Sequence, residues 1–95
     1  MVVNDELLEM YKKSIGDFNK NSIMDNYYTN FLNMAIADLE SDDISEMQLL
    51  TMLGQSTICL YAEALMNKTD IATNPTIALL RNKLSDMTKG DRFNV

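Results

Sequence analysis

The side chains able to do chemistry are few, and one absence narrows them further. The chain has no histidine, so the commonest general base and the commonest transition-metal ligand are both missing. Neither a Ser-His-Asp nor a Cys-His arrangement can be built, and no glycine-rich phosphate loop is present. The densest acidic group is Glu40, Asp42, Asp43 and Glu46. It lacks the Asx alternation, the sixth-position glycine and the twelfth-position glutamate of a calcium loop. Its expected role is to solvate a turn, with Asp43 and Glu46 favouring the dipole of the helix that follows. Cys59 is the lone cysteine and sits in the apolar run Thr57-Ile58-Cys59-Leu60-Tyr61. It reads as a buried structural thiol. Glu63, among apolar neighbours, reads as a helix-edge residue. Tyr27, Tyr28 and Phe31 could stack on bases. With no basic residues among them, they read instead as core and rim of a helical bundle. The chain is therefore expected to have no catalytic residues, no metal and no cofactor, and to be no enzyme.

Composition agrees with a binding role. The 95 residues suffice for one domain, read as 1–95. Net charge is −6, from 14 acidic and 8 basic residues, which opposes a general grip on nucleic-acid phosphate. Eight methionines read first as filler for irregular core gaps, with Met34, Met47, Met52 and Met66 as those that could supply adaptable contact at the side faces of an assembly. Three glycines and one proline favour long helices over a sheet with many turns. The single cysteine and the lack of a signal-peptide pattern at the N-terminus point to an intracellular setting. No apolar run approaches the ~20 residues needed to cross a bilayer, so no membrane partner is expected.

Four helices are predicted. The first covers about 5–14, with Asn4 as N-cap, Lys12 and Lys13 in its last turn and Gly16 in the left-handed position after it. The second covers about 23–40, where Ser22 and Asp25 fit a capping box. Its broad apolar face runs Met24, Tyr27, Tyr28, Phe31, Leu32, Ala35, Ile36 and Leu39, with Asn26, Asn30, Asn33 and Asp38 on the other side. The third covers about 46–67. Ser45 and Gln48 form its capping box, and Ile44 and Leu49 its hydrophobic staple. Its middle is apolar or small nearly all round, as in a central buried helix. Gly54 inside it reads as a point of close approach by another helix. The fourth covers about 75–89, capped by Asn74, opened by Pro75 and ended by Gly90, with a short tail over 91–95. The fold class is all-α, a small four-helix bundle around the third helix. The tight link 41–44 makes the second and third helices antiparallel.

Helix order and texture carry a resemblance. After a short first helix come Asn33-Met34-Ala35-Ile36-Ala37-Asp38-Leu39-Glu40 with an acidic link, then Gln55-Ser56-Thr57-Ile58-Cys59-Leu60-Tyr61-Ala62-Glu63-Ala64. A polar loop follows, then a closing helix with Leu79-Leu80-Arg81. The chain resembles, over nearly its whole length, the gp6-like head-tail connector proteins of tailed phages. It departs from them in having no Trp and a polar loop before the last helix. The resemblance implies a virion structural protein that oligomerises into a ring. Its implied partners are further copies of itself, the portal protein and a tail-side connector or stopper, with DNA passing through unbound. It also implies that loops and termini make neighbour contacts, here Lys68, Thr69 and Asp70, and Arg92 and Phe93 in the tail. The alternative is a small acidic phage or prophage regulatory protein that binds a host protein.

Overall fold

A computed structural model describes the backbone of residues 1–93 and the side chains through Met87. The protein is all-α, and no strand occurs among the described residues. Five helices follow in order: α1 Asp5–Ser14, α2 Ser22–Ser41, α3 Glu46–Leu49, α4 Met52–Met66 and α5 Pro75–Phe93.

Helix α1 begins where its caps dictate. Asn4 accepts from the Leu7 amide at 2.8 Å, and Gly16 takes the left-handed conformation at φ 77°. The amides of Gly16 and Asp17 return to the Lys13 and Lys12 carbonyls at 3.2 and 2.9 Å, the Schellman closure of a helix end. Lys12 does more than favour the dipole. Its buried ammonium donates to the Asn19 carbonyl at 2.7 Å and pairs with Asp25 at 2.9 Å, and that bond to Asp25 raises its pKa. Asp25 is thereby drawn away from the expected capping box. Asn21 caps α2 instead, accepting from the Ile23 and Met24 amides at 3.0 and 3.2 Å.

The largest departure from expectation is that the helix predicted over 46–67 is two helices. Ser45 and Gln48 do form the capping box, and Ile44 and Leu49 are both buried in the core. The chain then leaves helical geometry at Thr51, which is extended at φ −68° and ψ 163°. The Thr51 hydroxyl donates to the Gln48 carbonyl at 2.6 Å and accepts from the Gly54 amide at 3.0 Å. One side chain thus closes α3 and caps α4. The tail expected over 91–95 differs as well, because α5 runs past Gly90 to Phe93. A helical glycine costs about 1 kcal/mol against alanine and does not by itself stop a helix.

Helix α4 touches all four others, as the central position predicted for this segment requires. It runs antiparallel to α2. Tyr11 meets Tyr28 near the start of α2 and Met66 at the end of α4, while Tyr61, a turn or more earlier in α4, donates to Asp38 near the end of α2. Leu7, Tyr11, Leu32, Leu39, Leu49, Ile58, Ile77 and Leu84, drawn from all five helices, are buried in one apolar cluster. From α2 the core takes Tyr28, Leu32, Ala35, Ile36 and Leu39. Met24 and Tyr27, expected on the same face, are exposed, because α1 and α4 together cover a narrower arc than the apolar residues span.

Candidate functional site

The C-terminal end of α2 gathers acid where the helix dipole is itself negative: Asp38, Glu40, Asp42 and Asp43. Cations from distant parts of the chain offset this. Arg81 of α5 bonds the Asp42 carboxylate and lies 3.5 Å from Asp38. Its guanidinium also stands 5.9 Å from the centre of the Tyr61 ring. Tyr61 donates its hydroxyl hydrogen to Asp38. The Met1 amino group pairs with Glu40 at 3.1 Å. Of the acidic group singled out in the sequence, Glu40 and Asp42 are therefore held by partners within the chain. Among the described residues, no three His, Cys, Asp or Glu side chains converge as a metal site.

Beside this cluster opens a cleft of about 350 Å³. Asp42 and Ile44 of the α2–α3 link form one wall, Ile71 and Ala72 of the α4–α5 loop a second, and Ile77, Arg81 and Ser85 of α5 a third. Its charges are already committed, since Arg81 faces two carboxylates. Elsewhere in the bundle, the buried groups that could move a proton hold it tightly. Burial, then the bond to Asp38, pushes the Tyr61 hydroxyl well above its ordinary value. Burial and the charge of half-buried Glu63 push the Cys59 thiol up to about 11 and the Tyr11 hydroxyl to about 12. At neutral pH Cys59 is thus a protonated, weakly nucleophilic thiol. What the cluster does is fasten α2, α4 and α5 to one another at the rim of the cleft.

The expected contact residues fall into two separated groups. Lys68, Thr69 and Asp70 are exposed in the loop leading into the cleft wall. The loop is tied to itself and to α4. The Lys68 and Thr69 amides bond the Leu65 and Ala64 carbonyls at 3.1 and 2.9 Å, and Asp70 accepts from the Ala72 amide at 3.0 Å. Lys68 sits at φ 56°, the left-handed position that glycine usually fills at a helix end. Lys68→Gly is expected to stabilise the fold by about 1 kcal/mol, read as a rise in thermal midpoint; a fall would show that the Lys68 side chain itself holds the loop. The side chains of Arg92 and Phe93 lie outside the described residues. Their backbone ends α5, whose first turn adjoins the loop, so the two groups are about 25 Å apart along the helix. They cannot form one small patch.

The surface that sequence reasoning underrated lies at the corner between α3 and α4. Met47 is 82 % exposed and Met52 74 %, with Leu50 also exposed between them. The break at Thr51 turns these side chains outward, whereas an unbroken helix would have carried Leu50 with Leu49 into the core. Of the four methionines named as interface candidates, Met34, Met47 and Met52 are exposed. Met66 is half-buried and accepts the Tyr11 hydroxyl at 3.6 Å. The aromatic trio divides into core and rim. Tyr28 is buried against Tyr11 and donates to Asp17 at 2.6 Å, while exposed Tyr27 meets the Phe31 ring edge-on at 5.0 Å.

Comparison with known proteins assigns no family: no family model matches the chain, and neither the curated proteins nor the solved structures yield a match.

Proposed function

We propose that this chain is a virion structural protein, a head-tail connector subunit that assembles into a ring between the portal and the tail-side connector. The α3–α4 corner carries the reading. Met47, Leu50 and Met52 stand exposed on a backbone fixed by two successive helix caps, Ser45 and Thr51. Large apolar side chains held outward on a rigid frame are what a subunit interface requires. Methionine suits a contact that must adapt to neighbouring copies. The net charge of −6 supports a channel through which DNA passes without sticking. The alternative of an acidic regulator displaying its carboxylates to a host protein has less support. Asp17, Asp25, Asp38, Glu40 and Asp42 are all engaged by partners within the chain.

Two measurements test the proposal. Mass spectrometry of purified phage particles is expected to find the chain, and its absence would sink the connector reading. Mixed with the portal protein of the same phage, the chain is expected to add a ring visible by electron microscopy. Met47→Glu with Met52→Glu is expected to abolish that ring while leaving the thermal midpoint of the free chain unchanged, since both side chains already face water.

A further inference from the structure

The outward side of α2 has an order that neither the core nor the connector reading uses. Ile23, Tyr27, Asn30, Met34 and Ala37 follow one another at intervals of four, three, four and three residues. At about 100° per residue these positions stay within roughly 40° of one line along the helix. That line lies on the side away from the buried set Tyr28, Leu32, Ala35, Ile36 and Leu39. Such spacing is the seam by which one helix packs lengthwise against another. All five positions are exposed, with Ile23 at 78 %, Tyr27 at 45 % and Met34 at 54 %. Among the described residues, no part of the chain covers them.

We propose that this seam pairs with the α2 seam of a second copy, antiparallel and two-fold symmetric about Asn30. Three observations select that occupant. The first is that one polar residue, Asn30, stands at the middle of the seam with two apolar positions on either side. With Asn30 opposite Asn30, Ile23 falls opposite Ala37, and Tyr27, three residues before Asn30, falls within one residue of Met34, four after it. A central Asn pair can satisfy itself by side-chain amide bonds, and one such polar layer in an apolar seam fixes register.

The second is charge. Of the exposed positions of α2 from Ser22 to Ala37, all described, none is charged. On α5, by contrast, Lys83 and Asp86 are exposed. Two copies carrying −6 each repel at long range, and an uncharged face is where they can meet at least cost. The third is polarity along the helix. Lys20 is exposed just before α2, and Asp43 is exposed past its far end, beyond Glu40, which the Met1 amino group already holds. Antiparallel pairing sets each Lys20 against the acidic end of the other copy, whereas parallel pairing would set acid on acid.

A two-fold contact of this kind closes at two copies. It describes the free protein and stands independently of the connector reading. If that reading also holds, the pair is the form from which ring contacts are later made.

The test uses the full chain. Sedimentation is expected to give a two-copy mass at micromolar concentration. Met34→Glu is expected to weaken pairing by about 100-fold, because each copy would bury an unpaired charge. Circular dichroism should show its helix content unchanged, as Met34 contributes nothing to the monomer core. Register is read by disulfide trapping, in which Cys59 does not interfere because it is buried. Asn30→Cys is expected to cross-link to itself on oxidation. Ile23→Cys is expected to cross-link not to itself but to Ala37→Cys in a mixture. A single-copy mass throughout, a pair indifferent to Met34→Glu, or self-cross-linking of Ile23→Cys would each overturn the proposal. So would a seam that stays open in the chain alone and is covered only by a different protein. Failure of ring formation with a portal would leave the pairing intact, so the two readings are separable.

Discussion

Gly54→Ala is expected to destabilise the protein by about 3 kcal/mol, lowering the thermal midpoint by roughly 15 °C for a domain of this size. The sign makes the test sharp. By helix propensity alone, alanine inside a helix is better than glycine by about 1 kcal/mol, so an ordinary helical glycine would gain from the change. The structure demands the opposite. A Cβ at Gly54 would stand 2.3 Å from the Gln48 carbonyl oxygen and 2.5 Å from the Leu49 Cα, and both neighbours are backbone that no rotamer change can move. The reason is directional. Helical Cβ atoms tilt toward the N-terminus, and here the N-terminal side is occupied by α3, folded back over the first turn of α4. Relief requires α3 to lift away. That would uncover Leu49, which is fully buried, and stretch the bond from the Gln48 side chain to the Leu84 carbonyl at 2.9 Å. It would also shift Met47, Leu50 and Met52, so loss of stability and loss of assembly are expected together. A thermal midpoint equal to or above that of the parent would refute the close approach.

Tyr11→Ala is expected to cost about 3–5 kcal/mol, in line with removal of a buried aromatic ring. Tyr11 is fully buried and joins three helices. Its ring stands edge-on to Tyr28 at 5.5 Å, and its hydroxyl reaches the Met66 sulfur at 3.6 Å. The companion Tyr11→Phe separates packing from polarity. A thioether sulfur is a weak acceptor, so losing that bond is expected to cost about 1 kcal/mol or less. Denaturant unfolding of the two variants gives the comparison. Hydrogen exchange adds where the loss is felt: a three-turn helix is marginal alone, so the amides of α1 should lose protection first in Tyr11→Ala. Equal losses for alanine and phenylalanine would mean that the hydroxyl, not the ring, anchors α1.

The two variants bear on function in different ways. Tyr11 holds α1 against the α2–α4 pair, far in sequence from the α3–α4 corner. Gly54 sits beneath that corner. If a ring forms through Met47 and Met52, Gly54→Ala should impair it more than its loss of stability alone explains. Tyr11→Ala should impair it only in proportion to unfolding.

Much of the frame was legible because its signals are local. Asn4, Ser45 and Asn74 mark helix starts through bonds that reach only two or three residues ahead, and Pro75 through its fixed φ at the first helical position. Gly16 marks an end through its backbone freedom. Spacing of apolar residues placed the core side of α2 and the central role of the segment that contains α4. What could not be read are relations between residues far apart in the chain. Asp25 looked like the partner of Ser22, and is drawn off by Lys12 of another helix. Asp38 looked like part of the polar side of α2 and Asp42 like a solvated acid, and both meet Arg81 some 40 residues on. The Thr51 cap was present in the sequence, six residues after the Ser45 cap, but the apolar spacing ran across both and suggested one helix.

The sequence by itself thus determined an all-α chain, the caps that start most of its helices, and the want of a histidine-based active site. Those properties follow from residue type and from contacts within a turn or two. Only the tertiary structure decided which apolar residues are spare. The chain folded at Thr51 because α3 packs on α4 through Gly54 and on α5 through Gln48. That fold sends Met47, Leu50 and Met52 outward, just as the narrow cover over α2 leaves Ile23, Tyr27 and Met34 in water. Hydrophobicity along the chain measures what can be buried. Which of it is buried depends on how much surface the neighbouring helices offer, and that is fixed only when they meet.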